Sequence, residues 1–239
     1  MNDIFNSLDR HLNKNNEGEN IVIEAFGIPG SGKSYICGKL LSSNKSQSIK
    51  TFYHSIDNYS NSLFIRVIFK SFLIFSNHVL KNSIAQRAIQ LVNGFKEMSV
   101  FNRLKLIFNM LLITAVIIRN QRNKRNLILD QGILQAIWSC FYYAGKSSYS
   151  DEEIDEIAYK TNLLIKELSI SNLLLLHIKA EKNDIYFRLR NREVSGTTPL
   201  NNLEHSSLKK GFVAESLTED LIKKLCESDN QIITYEFVN

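Results

Sequence analysis

Gly27-Ile28-Pro29-Gly30-Ser31-Gly32-Lys33-Ser34 places a glycine, four residues and then Gly-Lys-Ser directly behind the apolar run Ile21-Val22-Ile23-Glu24-Ala25-Phe26. That order is the Walker A form of a phosphate-binding loop, and each residue type has a chemical reason to be there. Glycines let the backbone take positive φ and come close to a polyphosphate, so that successive N–H groups aim at its oxygens. A helix starting near Gly32 adds the positive end of its dipole. Lys33 would reach the β- and γ-phosphates as a mobile charge, and the Ser34 hydroxyl would ligate Mg²⁺. Pro29 fixes one φ in the loop, and Tyr35, the residue past Ser34, completes the nucleotide-binding stretch.

Two carboxylates are spaced to work with this loop. Asp130 closes the apolar stretch Asn126-Leu127-Ile128-Leu129, so it stands at the tip of a buried strand, where it would hold Mg²⁺ opposite Ser34, usually through a water. Asp57 follows a second strand expected over residues 48–53, and open α/β sheets bind ligands beyond such strand ends. There it would take a proton from an acceptor hydroxyl. The following Asn-Tyr-Ser-Asn-Ser suits a helix-cap or turn aspartate equally well.

Three arginines, Arg188, Arg190 and Arg192, lie within five residues shortly after a fourth strand expected at 173–178. Arg188 and Arg192 share a helical face and would cover bound phosphates as lid cations, with residues 194–200 as the lid loop. A solvated basic helix face is the plainer alternative.

The elements that must position these residues alternate between strand and helix. Strands are expected at 21–26, 48–53, 126–129, 173–178 and 231–237, with helices between them, which makes an α/β fold with a five-stranded sheet. His177 reads as a satisfied strand-end residue, and Ser150-Asp151-Glu152-Glu153 as a capping box. The amphipathic pattern of the last helix runs from Phe212 to Ser228. Residues 58–125 break the alternation and read as a helical insert within a single domain spanning 1–239. Its most apolar part, 104–118, is short for a bilayer and reads as a buried helix. The basic run Arg119–Arg125 reads as a solvated helix C-terminus.

Composition agrees with a soluble globular chain. Of 239 residues, 44% are hydrophobic and 22% charged, and the net charge of +5 is mild. No aromatic-interleaved basic motif accompanies that charge, so no nucleic-acid partner is expected. Three widely spaced cysteines argue for a reducing, cytoplasmic setting and against a disulfide framework or zinc site. No secretory signal is visible at the N-terminus.

The Gly-x-x-Gly-x-Gly-Lys-Ser loop, the strand ending in Asp130 and the Arg-x-x-x-Arg of 188–192 together resemble the nucleoside and nucleotide kinase group of P-loop proteins, thymidylate-kinase-like in outline. The resemblance covers roughly residues 20–57 and 126–239. It implies a three-layer P-loop fold with a parallel sheet and the helical insertion between strands two and three. It further implies ATP-Mg²⁺ on Lys33 and Ser34, Asp130 beside metal and acceptor, and Arg188 and Arg192 as lid arginines. Many such kinases carry an arginine directly after the acidic residue of the third strand, where this chain has Gln131, so the usual clamp for a nucleotide acceptor is missing. The expected activity is transfer of the γ-phosphoryl of ATP to a small acceptor. The other reading is an NTP-binding or hydrolysing regulatory protein whose insert docks a partner or a membrane surface.

Overall fold

The structure, a computed structural model, describes residues 21–43, 51–54, 82–123, 126–194, 205–228 and 232–238. In chain order these form β1 (Ile21–Phe26), α1 (Lys33–Ser43), β2 (Thr51–His54), α2 (Asn82–Asn93), α3 (Val100–Arg122), β3 (Asn126–Leu129), α4 (Ile133–Ala144), α5 (Asp151–Glu167), β4 (Asn172–Lys179), α6 (Lys182–Val194), α7 (His205–Ser228) and β5 (Ile232–Val238). Asp57 lies outside the described residues, as do the expected lid residues 195–200 and the side chain of Arg192.

The strands make one parallel sheet in the order β2-β3-β1-β4-β5. β1 is therefore central, and all six of its residues are buried, as a strand covered on both faces requires. Alternation along the strands assigns the two faces. Ile21, Ile23 and Ala25 pack with Ile36, Cys37 and Leu40 of α1, whereas Val22 and Phe26 face the larger core built by the remaining helices. β5 closes one edge with one face wet, which is why its burial alternates.

The helices between β2 and β3 belong to that larger core. Ala88, Leu91 and Val92 of α2 and Met110, Leu112 and Ile113 of α3 share one apolar cluster with Val22, Leu127 and Leu173 of the sheet. Phe95, just past α2, meets Phe141 of α4 edge-on with ring centroids 5.1 Å apart. By length and composition α3 is apolar enough to cross a membrane, yet its central turns are covered by protein.

Several boundaries move from their sequence-based positions, each for a local reason. α3 starts a turn earlier than the apolar run because Ser99 Oγ accepts from the Asn102 N–H at 3.3 Å. It ends with Arg119 and Arg122 in its last turn, so the part of the basic run that is described is a helix C-terminus. α7 begins at His205 instead of Phe212, because Leu208 and Phe212, one turn apart, pack on Ile28 and hold the extra turns. The glycine that hides this extension, Gly211, faces Trp138, whose Cζ2 lies 3.6 Å from where a Cβ would sit. The capping box at Ser150 and Glu153 forms as expected, with both reciprocal bonds present.

Candidate active site

The site grows from the end of the central strand. Gly27, Gly30 and Gly32 carry φ of +148°, +92° and +103°, which only glycine adopts cheaply. At Gly27 a Cβ would also lie 2.5 Å from the Ile178 carbonyl oxygen of the neighbouring strand. The Ser31 N–H donates to Ile28 O at 3.1 Å to tighten the loop, and the Ile36 N–H donates to Gly32 O at 3.1 Å to start α1. The loop thus runs directly into a helix N-terminus, an arrangement suited to holding an anion. Lys33 Nζ donates to Gly27 O at 2.7 Å and to Ile28 O at 3.2 Å, so its ammonium bridges the first two loop carbonyls.

The carboxylate expected opposite Ser34 is there. β1 and β3 run in parallel register with Glu24 beside Leu129, so the next residue of β3, Asp130, comes out at the same level as the loop. Ser34 Oγ donates to Asp130 Oδ2 at 3.3 Å across 96 residues of sequence, and Asp130 is only 3% exposed. A hydroxyl and a carboxylate meeting at the end of this glycine-rich loop are an all-oxygen donor set of the kind Mg²⁺ takes. Beneath them the Cys37 thiol is pushed up to about 12, by burial first and then by the charge of Asp130, so it stays a protonated, inert core residue.

α6 docks on the loop. Ile185 and Leu189 cluster with Ile28, Leu208 and Phe212, and Leu189 Cγ lies 3.3 Å from where a Cβ on Gly30 would be. This packing brings Arg188 onto the loop, where Nη1 donates to the carbonyls of Gly30 and Ser31, each at 3.3 Å. Its Nη2 lies 3.9 Å from Asp184 Oδ2, one turn back. Arg190 points to solvent, as its position on the helix requires. Pro29 and Ser31 hold their expected loop positions, whereas Tyr35 is 56% exposed with Lys39 Nζ 4.9 Å from its ring centroid.

Two features escaped the sequence reading. Glu24, in the middle of β1, is fully buried and points toward the start of α4: its Oε1 accepts the Gln135 N–H at 2.9 Å. Burial raises its carboxyl to about 7, outweighing the helix-start N–H groups of residues 132–135 that hold the charged form. Gln135 then uses Oε1 to accept the Gly27 N–H at 3.2 Å. The one available signal was a glutamate inside the otherwise apolar Ile21-Val22-Ile23-Glu24-Ala25-Phe26. The second is the set of carboxylates around His177, which is a satisfied strand-end residue as expected: its ring stacks on Phe26 at 4.3 Å and its Nε2 lies 3.2 Å from Glu215 Oε1. Its Nδ1 lies 3.5 Å from Glu219 Oε1, and Lys179 pairs with both Glu219 and Glu236, which ties β4, β5 and α7 together.

The chain is an α/β protein in which a glycine-rich loop leaves the central strand of a parallel sheet, with a helix N-terminus behind it and a carboxylate on the adjacent strand. No protein-family model matches the sequence, and the curated proteins hold no match to it. Among solved structures the chain is similar to deoxyadenosine kinase from M. mycoides with bound dCTP, at 12% identity and a TM-score of 0.43, over 90% of this chain and 89% of that one. It is similar to the same kinase with bound dATP at 14% identity and a TM-score of 0.42, over 90% of each chain.

Proposed function

We propose that this chain is an ATP-dependent phosphotransferase, a small-molecule kinase that moves the γ-phosphoryl group of ATP to a small acceptor. The observation that carries the reading is the meeting of Ser34 and Asp130 at 3.3 Å beside the phosphate loop. A loop that only bound phosphate would not need a buried carboxylate brought to its serine from another strand. Ser34 and Asp130 would hold Mg²⁺, which when bound neutralises charge on the β- and γ-phosphate oxygens.

The protein's own groups divide the remaining work. Loop N–H groups and the start of α1 cradle the phosphates. Lys33 exchanges the Gly27 and Ile28 carbonyls for phosphate oxygens. Arg188, now on the Gly30 and Ser31 carbonyls, supplies a permanently charged guanidinium to the same oxygens as charge spreads over them during transfer. Asp130, or Asp57 from beyond β2, takes the proton of an acceptor hydroxyl, and Arg192 acts with Arg188 as a second lid cation. The three free thiols support a reducing, cytoplasmic setting.

The exposed side chains Val100, Phe101 and Leu104 at the start of α3 favour a second reading, in which slow hydrolysis regulates the docking of a partner there. Incubation with labelled ATP and a panel of nucleosides, nucleotides, sugars and other alcohols separates the two. Label transferred to an acceptor is expected; release of labelled phosphate alone, with no acceptor labelled across the panel, overturns the kinase reading.

A further inference from the structure

We propose that Glu24 is a positioning residue for this site: through the first turn of α4 and the side chain of Gln135, its buried carboxylate fixes the phosphate loop relative to Asp130. The inference rests on the nucleotide-binding reading of the loop and not on the identity of any acceptor.

The geometry is a closed circuit of three elements. Glu24 sits on β1 beside Leu129, the residue before Asp130, and its side chain faces the helical layer together with those of Val22 and Phe26. Its Oε1 accepts the Gln135 N–H at 2.9 Å, and the N–H groups of Gly132, Ile133 and Leu134 also turn toward the carboxylate. Gly132 exists for this approach: a Cβ there would lie 2.4 Å from Glu24 Cδ and 2.5 Å from Oε2. Gln135 closes the circuit by accepting the Gly27 N–H at 3.2 Å, at the first residue of the loop. The loop start, the turn that carries Asp130 and the start of α4 therefore share one carboxylate.

Packing alone would not require a carboxylate at this place. Glu24 has no exposed surface, and among the described residues its Oε2 has no hydrogen-bond partner. An apolar side chain would satisfy the core at lower desolvation cost. What a carboxylate adds is direction: it accepts the Gln135 N–H while facing the other N–H groups of the helix start, and so admits one starting residue for α4, hence one exit angle for the Asp130 turn. Gln135 passes that constraint to Gly27. A site that must set a phosphate cradle and a metal-binding carboxylate within a fraction of an ångström has a use for such a link.

The test uses Glu24→Gln, which keeps the shape and removes the charge, Gln135→Ala, which removes the link to Gly27, and the double variant. Two readouts are taken on the full chain: hydrogen exchange of the loop segment 22–34 in metal-free protein, and ATP affinity with and without Mg²⁺. Each single variant should speed exchange of the loop about tenfold. Each should also cut the factor by which Mg²⁺ raises ATP affinity about tenfold, with metal-free affinity changed less than threefold. The double variant should be no worse than the worse single, because both act through one circuit. Unchanged exchange and unchanged Mg²⁺ dependence in a folded Gln135→Ala protein overturn the proposal, as do fully additive losses. If Glu24→Gln does not fold, Gln135→Ala alone decides. Wild-type protein that binds ATP but labels no acceptor would remove the kinase reading and leave this inference standing; wild-type protein that binds no nucleotide would remove both.

Discussion

At the scale of single residues, the site depends on a few atoms that distant strands bring together. Asp130 is the most informative, since it is buried and bonded to Ser34. Asp130→Asn preserves the volume and removes the charge, so turnover should fall on the order of 10²-fold or more while metal-free ATP affinity stays within a few fold. Steady-state kinetics beside calorimetric titration in EDTA would read both quantities, and equal losses in the two would argue against the metal role. Gly27 makes a structural prediction. With φ at +148° and Ile178 O 2.5 Å from any Cβ, Gly27→Ala should destabilise the fold by on the order of 1–3 kcal/mol, measured by urea unfolding. Residues 27–34 and Asp130 were legible in the sequence because what they need is local: positive φ, a helix start, a polar residue after an apolar strand. Glu24 and Gln135 were not, because their roles lie in a contact across 111 residues that no periodicity records.

Among the elements, α2 and α3 form a layer of the larger core, in keeping with the buried character expected of the helical insert. Leu91 of α2 is fully buried, so Leu91→Ala should cost about 2–5 kcal/mol in urea unfolding, whereas Phe101→Ser at the exposed start of α3 should change stability by less than about 0.5 kcal/mol. A Leu91→Ala protein as stable as the wild type would argue against a core role for α2. The sequence reading found the helices and their buried character but not what they cover. Periodicity identifies an apolar stripe without saying which sheet or helix meets it. α6 illustrates the same limit: its arginines were visible, but the Ile185 and Leu189 contacts that set Arg188 on the loop depend on docking.

For the whole molecule, buried and surface carboxyls oppose each other in their pH dependence. Glu24 holds its proton more tightly in the folded state, at about 7 against the ordinary 4.5, so between those values the native chain binds more protons than the unfolded one. Its contribution to stability is therefore complete below about pH 4.5 and declines as pH rises toward 7, by about 3 kcal/mol in all. Glu153, Glu156 and Glu236 act with the opposite sign: hydrogen bonds from Lys146, Lys160 and Lys179 hold their carboxyls below 4.5, so what they contribute is lost as pH falls below that value. Thermal unfolding followed from pH 4.5 to 7.5 should show stability falling with pH in the wild type and a flatter profile in Glu24→Gln. Parallel profiles would mean that Glu24 does not titrate in this range.

The alternation of strands and helices, the positive-φ glycine loop of residues 27–34 running into a helix, and the place of Asp130 at a strand tip could all be read from the amino-acid order, because glycine conformation, helix capping and burial period are properties of short windows. No short window could show that β3 lies beside β1, so that Asp130 reaches Ser34, that α6 lays Arg188 on the loop, or that Glu24 bonds to the start of α4. Those outcomes follow from strand order, register and the packing of helices onto particular faces, which arise when residues a hundred positions apart compete to be buried against one another.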